Sequence, residues 1–293
     1  MRPQRLVLAV AGGAALLVAV PALGVPCGDP SPPRDGIALL ANAARAARRL
    51  SYHGTQMVSF WSATGATSAM IDVSHVAGTG LLLRVAATPQ SPGGAVYDDE
   101  DGTVPEVVGF AKGTLTLLAD HYEVSVEGAG AVAGRAADVV AVRRPGRPPS
   151  ARFWLDRATA LPLRREVLDT DGRTIRESAF IQLTVGPTVL SKAVLDSVDP
   201  MPVVAGAELR TTDLESLRRN GWHVPAALPS GLELVAARLH GAGDEATLQL
   251  VYADGVTTAS VFEQRGRLDT GSLRGWERAR VGPERVWVQG AFP

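Results

Sequence analysis

Cysteine is almost absent from this chain. Cys27 is the only one in 293 residues, so no internal disulfide can form. Lysine is nearly as scarce, with only Lys112 and Lys192, and aromatic residues make up 5%. Neither sign of charge is in excess. The formal net charge is −1, which removes the electrostatic case for nucleic-acid binding. No GxSxG elbow is present, and no other local nucleophile signature. The five histidines, His53, His75, His121, His223 and His240, show neither HxH nor HxxxH spacing, so a zinc site would need ligands assembled from afar. No metal site and no cofactor is expected. With 46% hydrophobic and 20% charged residues, the chain can still bury a substantial core.

The one long apolar run is at the start. Arg2 and Arg5 precede apolar residues from Leu6 to Val20, and Ala22-Leu23-Gly24 offers small residues before a cleavage point at Val25. This is the order of a secretory signal, so residues 1–27 are read as a signal peptide or an uncleaved membrane anchor, and the protein as extracytoplasmic. Lipidation of Cys27 is the third fate, although Gly24 and Pro26 depart from the usual lipobox. Residues 28–35 are a proline-rich linker.

Beyond residue 35, one helix gives way to segments that alternate with a period of two. The helix is expected over 36–50, capped by Asp35 and striped by Ile37, Leu40, Ala41, Ala44 and Ala47. Strands are expected at 52–62, 67–77, 79–87, 121–127, 135–144, 151–156, 162–169 and 174–185. The last places Ile175, Ala179, Ile181, Leu183 and Val185 on one face. Asp171-Gly172 marks a tight hairpin. The acidic, glycine-rich stretch 88–104 reads as a loop, and 109–120 as a short helix or strand. Residues 188–196 suggest a short helix. Pro and Gly punctuate 186–211. A second set of elements lies beyond: a helix over 213–219, strands near 232–240, 246–253, 256–264 and 284–290, and a hairpin at Asp254-Gly255.

Several motifs have plain explanations. Gly128 to Ala133 fits a dinucleotide fingerprint by letter, but no helix opens after it, so it reads as a wide hairpin turn. Asp98 to Asp101 has adjacent carboxylates without the spacing of a calcium loop. The aromatic pairs are more telling. Phe60-Trp61 and Phe153-Trp154 each send neighbouring rings to opposite faces of a strand. Met57 and Trp61 share one face, and Val58 and Phe60 the other. These six residues, Met57, Val58, Phe60, Trp61, Phe153 and Trp154, are the candidates for an apolar ligand-binding groove; the alternative is that both rings complete a core. In the second part Trp222 and Trp276 read as exposed rings suited to a protein partner. Trp222, between a helix stop and a proline, could instead pin its domain to the linker.

The segment FWLDRATALPLRREVLDTDG, with YHGTQMVSF and GRAADVVAVRR, resembles the lipoprotein-carrier-like half-barrel of the MucB/RseB family. GWHVPAALPSGLELVAARL followed by LQLVYADGVTTASVFEQ resembles that family's small C-terminal domain, which simple carriers lack. The resemblance covers about residues 36–290. It implies a mostly β (α+β) chain: an antiparallel half-barrel packed on an N-terminal helix at 36–190, a linker at 191–211 and a smaller α+β domain at 212–293. It implies no catalytic residue. It implies an extracytoplasmic regulator that binds a membrane-anchored anti-sigma factor, largely through the C-terminal domain, and senses a lipid-like or lipoprotein ligand in the envelope stress response. A periplasmic-type lipid or lipoprotein carrier is the alternative, and a secreted hydrolase a remote one. The chain ends at Pro293 just after VWVQG, where the resemblance leads one to expect further residues finishing the small domain.

Overall fold

The computed structural model describes residues 4–8, 35–62, 65–85, 94–97, 110, 113–187, 207–209, 211–228, 231–241, 243, 246–264, 276–281 and 284–288. Most of the expected leader, the linker, most of 88–104 and the connection 188–206 lie outside these residues. Two compact units divide between Met201 and Pro202.

The larger unit begins with α1 (Gly36–Arg49). Asp35 caps it, its carboxylate accepting from the Ile37 and Ala38 amides at 3.0 and 3.4 Å. Arg48 and Arg49 sit in the last turn, favourable to the helix dipole. Gly36 has to be glycine, because a Cβ there would lie 2.8 Å from the Val124 carbonyl oxygen. Then come β2 (Tyr52–Ser62), β3 (Gly65–Val76), β4 (Gly80–Val85), β5 (Gly94–Tyr97), α2 (Thr114–His121), β6 (Glu123–Val132), β7 (Arg135–Arg143), β8 (Pro149–Asp156), β9 (Pro162–Leu168) and β10 (Thr174–Val185).

These strands form one antiparallel sheet of order β5-β4-β3-β2-β10-β9-β8-β7-β6. Strands β10 and β6 stand four places apart, yet come within 8 Å between Cα atoms. Four flat spacings would separate them by roughly 19 Å. The sheet therefore curls into a half-barrel, and α1 lies over its β6 to β9 stretch. Ala46 and Ala47 of the helix share a core with Tyr52, Val58, Ile71, Leu83, Leu163 and Phe180. Alanine on the helix lets it sit close to the strands.

Three expectations change. The Gly128–Ala133 stretch is no wide turn: β6 runs through it with a bulge between Val126 and Gly128, and the chain reverses at Ala133-Gly134, whose φ angles are 49° and 74°. Glycine and alanine imitate a loop by composition here, but a large ring lies over Gly130, and only a residue without a side chain leaves room for it. His121 closes α2 instead of opening a strand. In β10 the even alternation breaks at a bulge between Phe180 and Gln182. Phe180 is buried and Ile181 is 46% exposed. Leu183 and Val185 then join the Phe180 core, while Ile175 and Ala179 belong to the opposite face.

The smaller unit holds β11 (Ala207–Glu208), α3 (Thr211–Arg219), β12 (Glu233–His240), β13 (Thr247–Ala253) and β14 (Thr258–Gln264). A separate hairpin pairs β15 (Glu277–Val281) with β16 (Glu284–Val288). Asp254 closes the β13–β14 turn, accepting from the Val256 and Thr257 amides at 3.0 and 2.8 Å; Gly255 supplies a φ of 96°. The core is Trp222, Val224, Leu232, Ala237, Leu248, Leu250, Tyr252 and Val261 with their neighbours. A fifth strand, β1 (Gln4–Leu8), completes the sheet order β1-β14-β13-β12-β11. It is drawn from the segment that the sequence assigns to the leader.

Candidate functional site

Strand β2 carries four of the six groove candidates, and period two divides them as expected. Val58 (1% exposed) and the half-buried Phe60 face the helix-covered side, with Tyr52 and Gln56. Met57 (41%) and Trp61 (37%) face the other side, where Met57 pairs across the ladder with Met70 (49%). Strand β8 repeats the division. Phe153 is buried and tilts against Phe110, ring centroids 5.2 Å apart. Trp154 is half-buried on the opposite face, over Gly130, where a Cβ would come within 2.9 Å of its indole Nε1. The six candidates therefore do not line one surface. Val58, Phe60 and Phe153 belong to the helix-covered face, and Met57, Trp61 and Trp154 to its reverse.

The two faces differ in chemistry. On the reverse, Arg164 stacks on Trp154 at 4.5 Å and opens a ladder of ion pairs. Arg164 bridges Glu166 and Glu177, the latter at 3.1 Å; Arg152 reaches Glu127 at 2.6 Å, and Arg143 reaches Glu127 at 3.4 Å. Burial pushes the Glu166 carboxyl above its ordinary value; Arg164 and Arg152 oppose the shift and Glu177 adds to it. This face is internally compensated, and each exposed pair contributes little. On the helix-covered face the guanidinium groups of Arg165 and Arg176 lie over Phe153 and Phe60 at 5.5 and 5.2 Å. Gln56 is 2% exposed there, and its Oε1 has no hydrogen-bond partner among the described residues. Apolar rings, two cations and an unsatisfied amide oxygen could receive an acyl chain with a polar head. Sequence reasoning did not single out Gln56, Arg165 or Arg176. The period of two places Gln56 with Val58 and Phe60, but nothing in the sequence says that its amide is left without a donor.

The FWLD motif has a structural role. Asp156 is buried and accepts from Arg135 Nη2 at 2.7 Å, from the Thr159 amide at 3.1 Å and from the Thr159 hydroxyl. Burial works to raise its pKa, but the bonds from Arg135 and Thr159 and the Arg135 charge prevail and hold the carboxyl below its ordinary 3.8. A depressed acid stabilises the fold above its unfolded value and loses that contribution as pH falls through the folded one. We expect the stability of the half-barrel to drop with acid below pH 3.8. Asp156→Asn should flatten that slope, read from urea unfolding at successive pH values. An unchanged slope would assign the acid loss to other carboxylates.

In the smaller unit the expectation of an exposed Trp222 is corrected. Its ring is 6% exposed and belongs to the core, because the turn after α3 folds it inward; its amide donates to the Leu217 carbonyl at 3.0 Å. A proline three residues on and a glycine before it read equally well as a projecting loop. Trp276 is half-buried just ahead of β15. Among the described residues no group of three His, Cys, Asp or Glu could hold a metal, and no helix is long and apolar enough to cross a membrane.

Comparison with known proteins adds a family match over part of the chain and a likeness of fold. Residues 95–201 match the MucB/RseB N-terminal domain. The fold is similar to that of MucB in complex with MucA(peri), at a TM-score of 0.53 and 22% identity over 85% of each chain. The Pseudomonas aeruginosa MucA/MucB complex gives 0.54 and 23%, again over 85% of each chain. MucB alone gives 0.52 and 21%, over 85% of this chain and 89% of the other. No curated protein matches the sequence. Part of the half-barrel thus matches the MucB/RseB N-terminal domain, and the chain as a whole is similar in fold to MucB.

Proposed function

We propose that this protein is a non-catalytic, extracytoplasmic regulator that binds a membrane-anchored anti-sigma factor and answers to a lipid-like or lipoprotein ligand, so tuning a sigma-factor-dependent stress response. The observation that carries the reading is the likeness to MucB over both units, in structures that hold MucB with MucA, together with the family match over 95–201. Export rests on the charged, apolar and small-residue order of residues 1–27. The smaller unit, residues 212–293 with its connection, carries most of the partner contact. The half-barrel is the sensor, and its ligand meets the helix-covered face at the half-buried Phe60, on the side where Val58 and Phe153 are buried. Control then works by linkage: a ligand that prefers the unbound form lowers affinity for the partner, and the partner lowers affinity for the ligand by the same factor.

Two measurements test this. The exported form, immobilised, should capture a single-span anti-sigma factor from a solubilised membrane extract of its own host. Capture of lipoprotein-sorting components instead would turn the reading to a carrier. The same protein should take up a fluorescent fatty-acid probe. Phe60→Ala should weaken uptake at least about fivefold, roughly 1 kcal/mol, while Trp61→Ala, on the opposite face, should leave it nearly unchanged. Equal loss in both variants would show that the probe does not use the helix-covered face.

A further inference from the structure

Strand β1 offers a clue to how the smaller unit engages a partner. Its backbone pairs antiparallel with β14 over five consecutive positions, from Gln4 opposite Gln264 to Leu8 opposite Ser260. It also lies beside β16 of the separate hairpin. On its other side β14 pairs, among the described residues, with β13. Without residues 4–8, β14 would be the edge of the sheet, with a row of backbone amides and carbonyls facing a strand-wide space next to the hairpin. Buried β edges are costly when unpaired and are ready acceptors of an added strand.

Residues 4–8 belong to the segment read as a signal peptide or an uncleaved anchor; cleavage before Val25 would take them out of the exported protein. We infer that the edge of β14, Thr258–Gln264, is a strand-acceptor site in the exported protein, and that its occupant is an extended, aliphatic-rich segment of the membrane-anchored partner, added antiparallel in the register that Gln4–Leu8 shows. The nature of the occupant rests on the regulator reading; the acceptor edge rests on the pairing alone. Main-chain bonds would supply the affinity, so the demand on partner sequence is loose: an extended run rich in aliphatic residues, as in Leu6-Val7-Leu8, and no proline within it.

The probe is a labelled peptide of residues 2–10, added at up to about 1 mM to protein lacking residues 1–24. In an antiparallel ladder alternate amides of a strand point at its neighbour. One peptide is therefore N-methylated at Arg5 and Val7 and another at Leu6 and Leu8, which leaves the protein itself unaltered. The unmodified peptide should bind and slow amide exchange across 258–264. One methylated peptide should bind about tenfold more weakly and the other nearly as well as the parent. Absence of binding, or equal affinity of the two methylated forms, overturns the acceptor edge. In a second arm the unmodified peptide is added to the captured anti-sigma complex. Displacement supports the proposed occupant. A captured partner that saturating peptide does not displace overturns strand addition by the partner and leaves the regulator reading standing. Peptide binding without capture of any anti-sigma factor overturns that reading and its occupant while the acceptor edge stands.

Discussion

Trp222→Ala should lower the smaller unit's stability more than any other single change there, by about 3–5 kcal/mol. The ring is 6% exposed and packs in the same core as Leu248, Leu250 and Tyr252, all nearly fully buried. Neighbouring groups are tied down, so the cavity cannot collapse cheaply. The Tyr252 hydroxyl donates to the Pro225 carbonyl at 3.0 Å, and burial drives its pKa upward. Arg218 Nε donates to the Val224 carbonyl at 2.8 Å, and both Glu263 carboxylate oxygens accept the His223 amide at 3.1–3.2 Å. These bonds pin the 222–225 turn from both sides, and the indole is the wedge beneath it. Denaturant unfolding followed by a signal confined to the smaller unit should show the midpoint fall, with Trp222→Phe losing less. A loss under about 1 kcal/mol would show that the ring is not the wedge. The variant also bears on partner binding. Because the ring is inside, any loss of capture by Trp222→Ala should parallel the loss of folded protein and not exceed it.

The existence of most elements was legible in the sequence, and the reason is period. Strands β2, β9 and β10, helix α1 and both Asp-Gly hairpins lie where alternation, capping and turn chemistry place them. What period cannot supply is phase across an irregularity. The β10 bulge at Ile181 moves Phe180 inward and Ile181 outward, so the apolar set read from the sequence is split between two faces. Composition misled at Gly128–Ala133, where the residues that suggest a loop instead make room for Trp154. The groove candidates show the same limit. Alternation guarantees that Phe60 and Trp61 diverge, but which ring meets the helix depends on where α1 lands, a contact distant in sequence. The cations over Phe60 and Phe153 were hidden for the same reason: Arg176 and Arg165 come from other strands of the sheet.

That bulge sets the second large expected effect. Gly54→Ala should destabilise the half-barrel by about 3 kcal/mol, although Gly54 lies within a regular strand and has no left-handed backbone angle to require glycine. The constraint comes from across the ladder. Past Ile181 the pairing shifts so that Gln182 meets Thr55 and Leu183 meets Gly54. An alanine Cβ at 54 would lie 2.2 Å from the Gln182 carbonyl oxygen and 3.1 Å from the Leu183 Cα. Both are backbone atoms in the middle of a sheet, so neither can swing aside as a side-chain tip would; relief requires β2 and β10 to part or the bulge to move. Moving the bulge by one residue would exchange Phe180 and Ile181 between faces and expose the ring that packs edge-on to Tyr52 at 6.3 Å. Gly128→Ala is the control, since a Cβ there meets nothing within 4 Å. It should cost well under 1 kcal/mol, roughly the range of an ordinary surface change. Urea midpoints of the two variants, compared with the parent, decide the matter. Equal small losses would mean that β2 and β10 slide past one another freely, and the bulge would then not be what fixes the register between the two halves of the half-barrel.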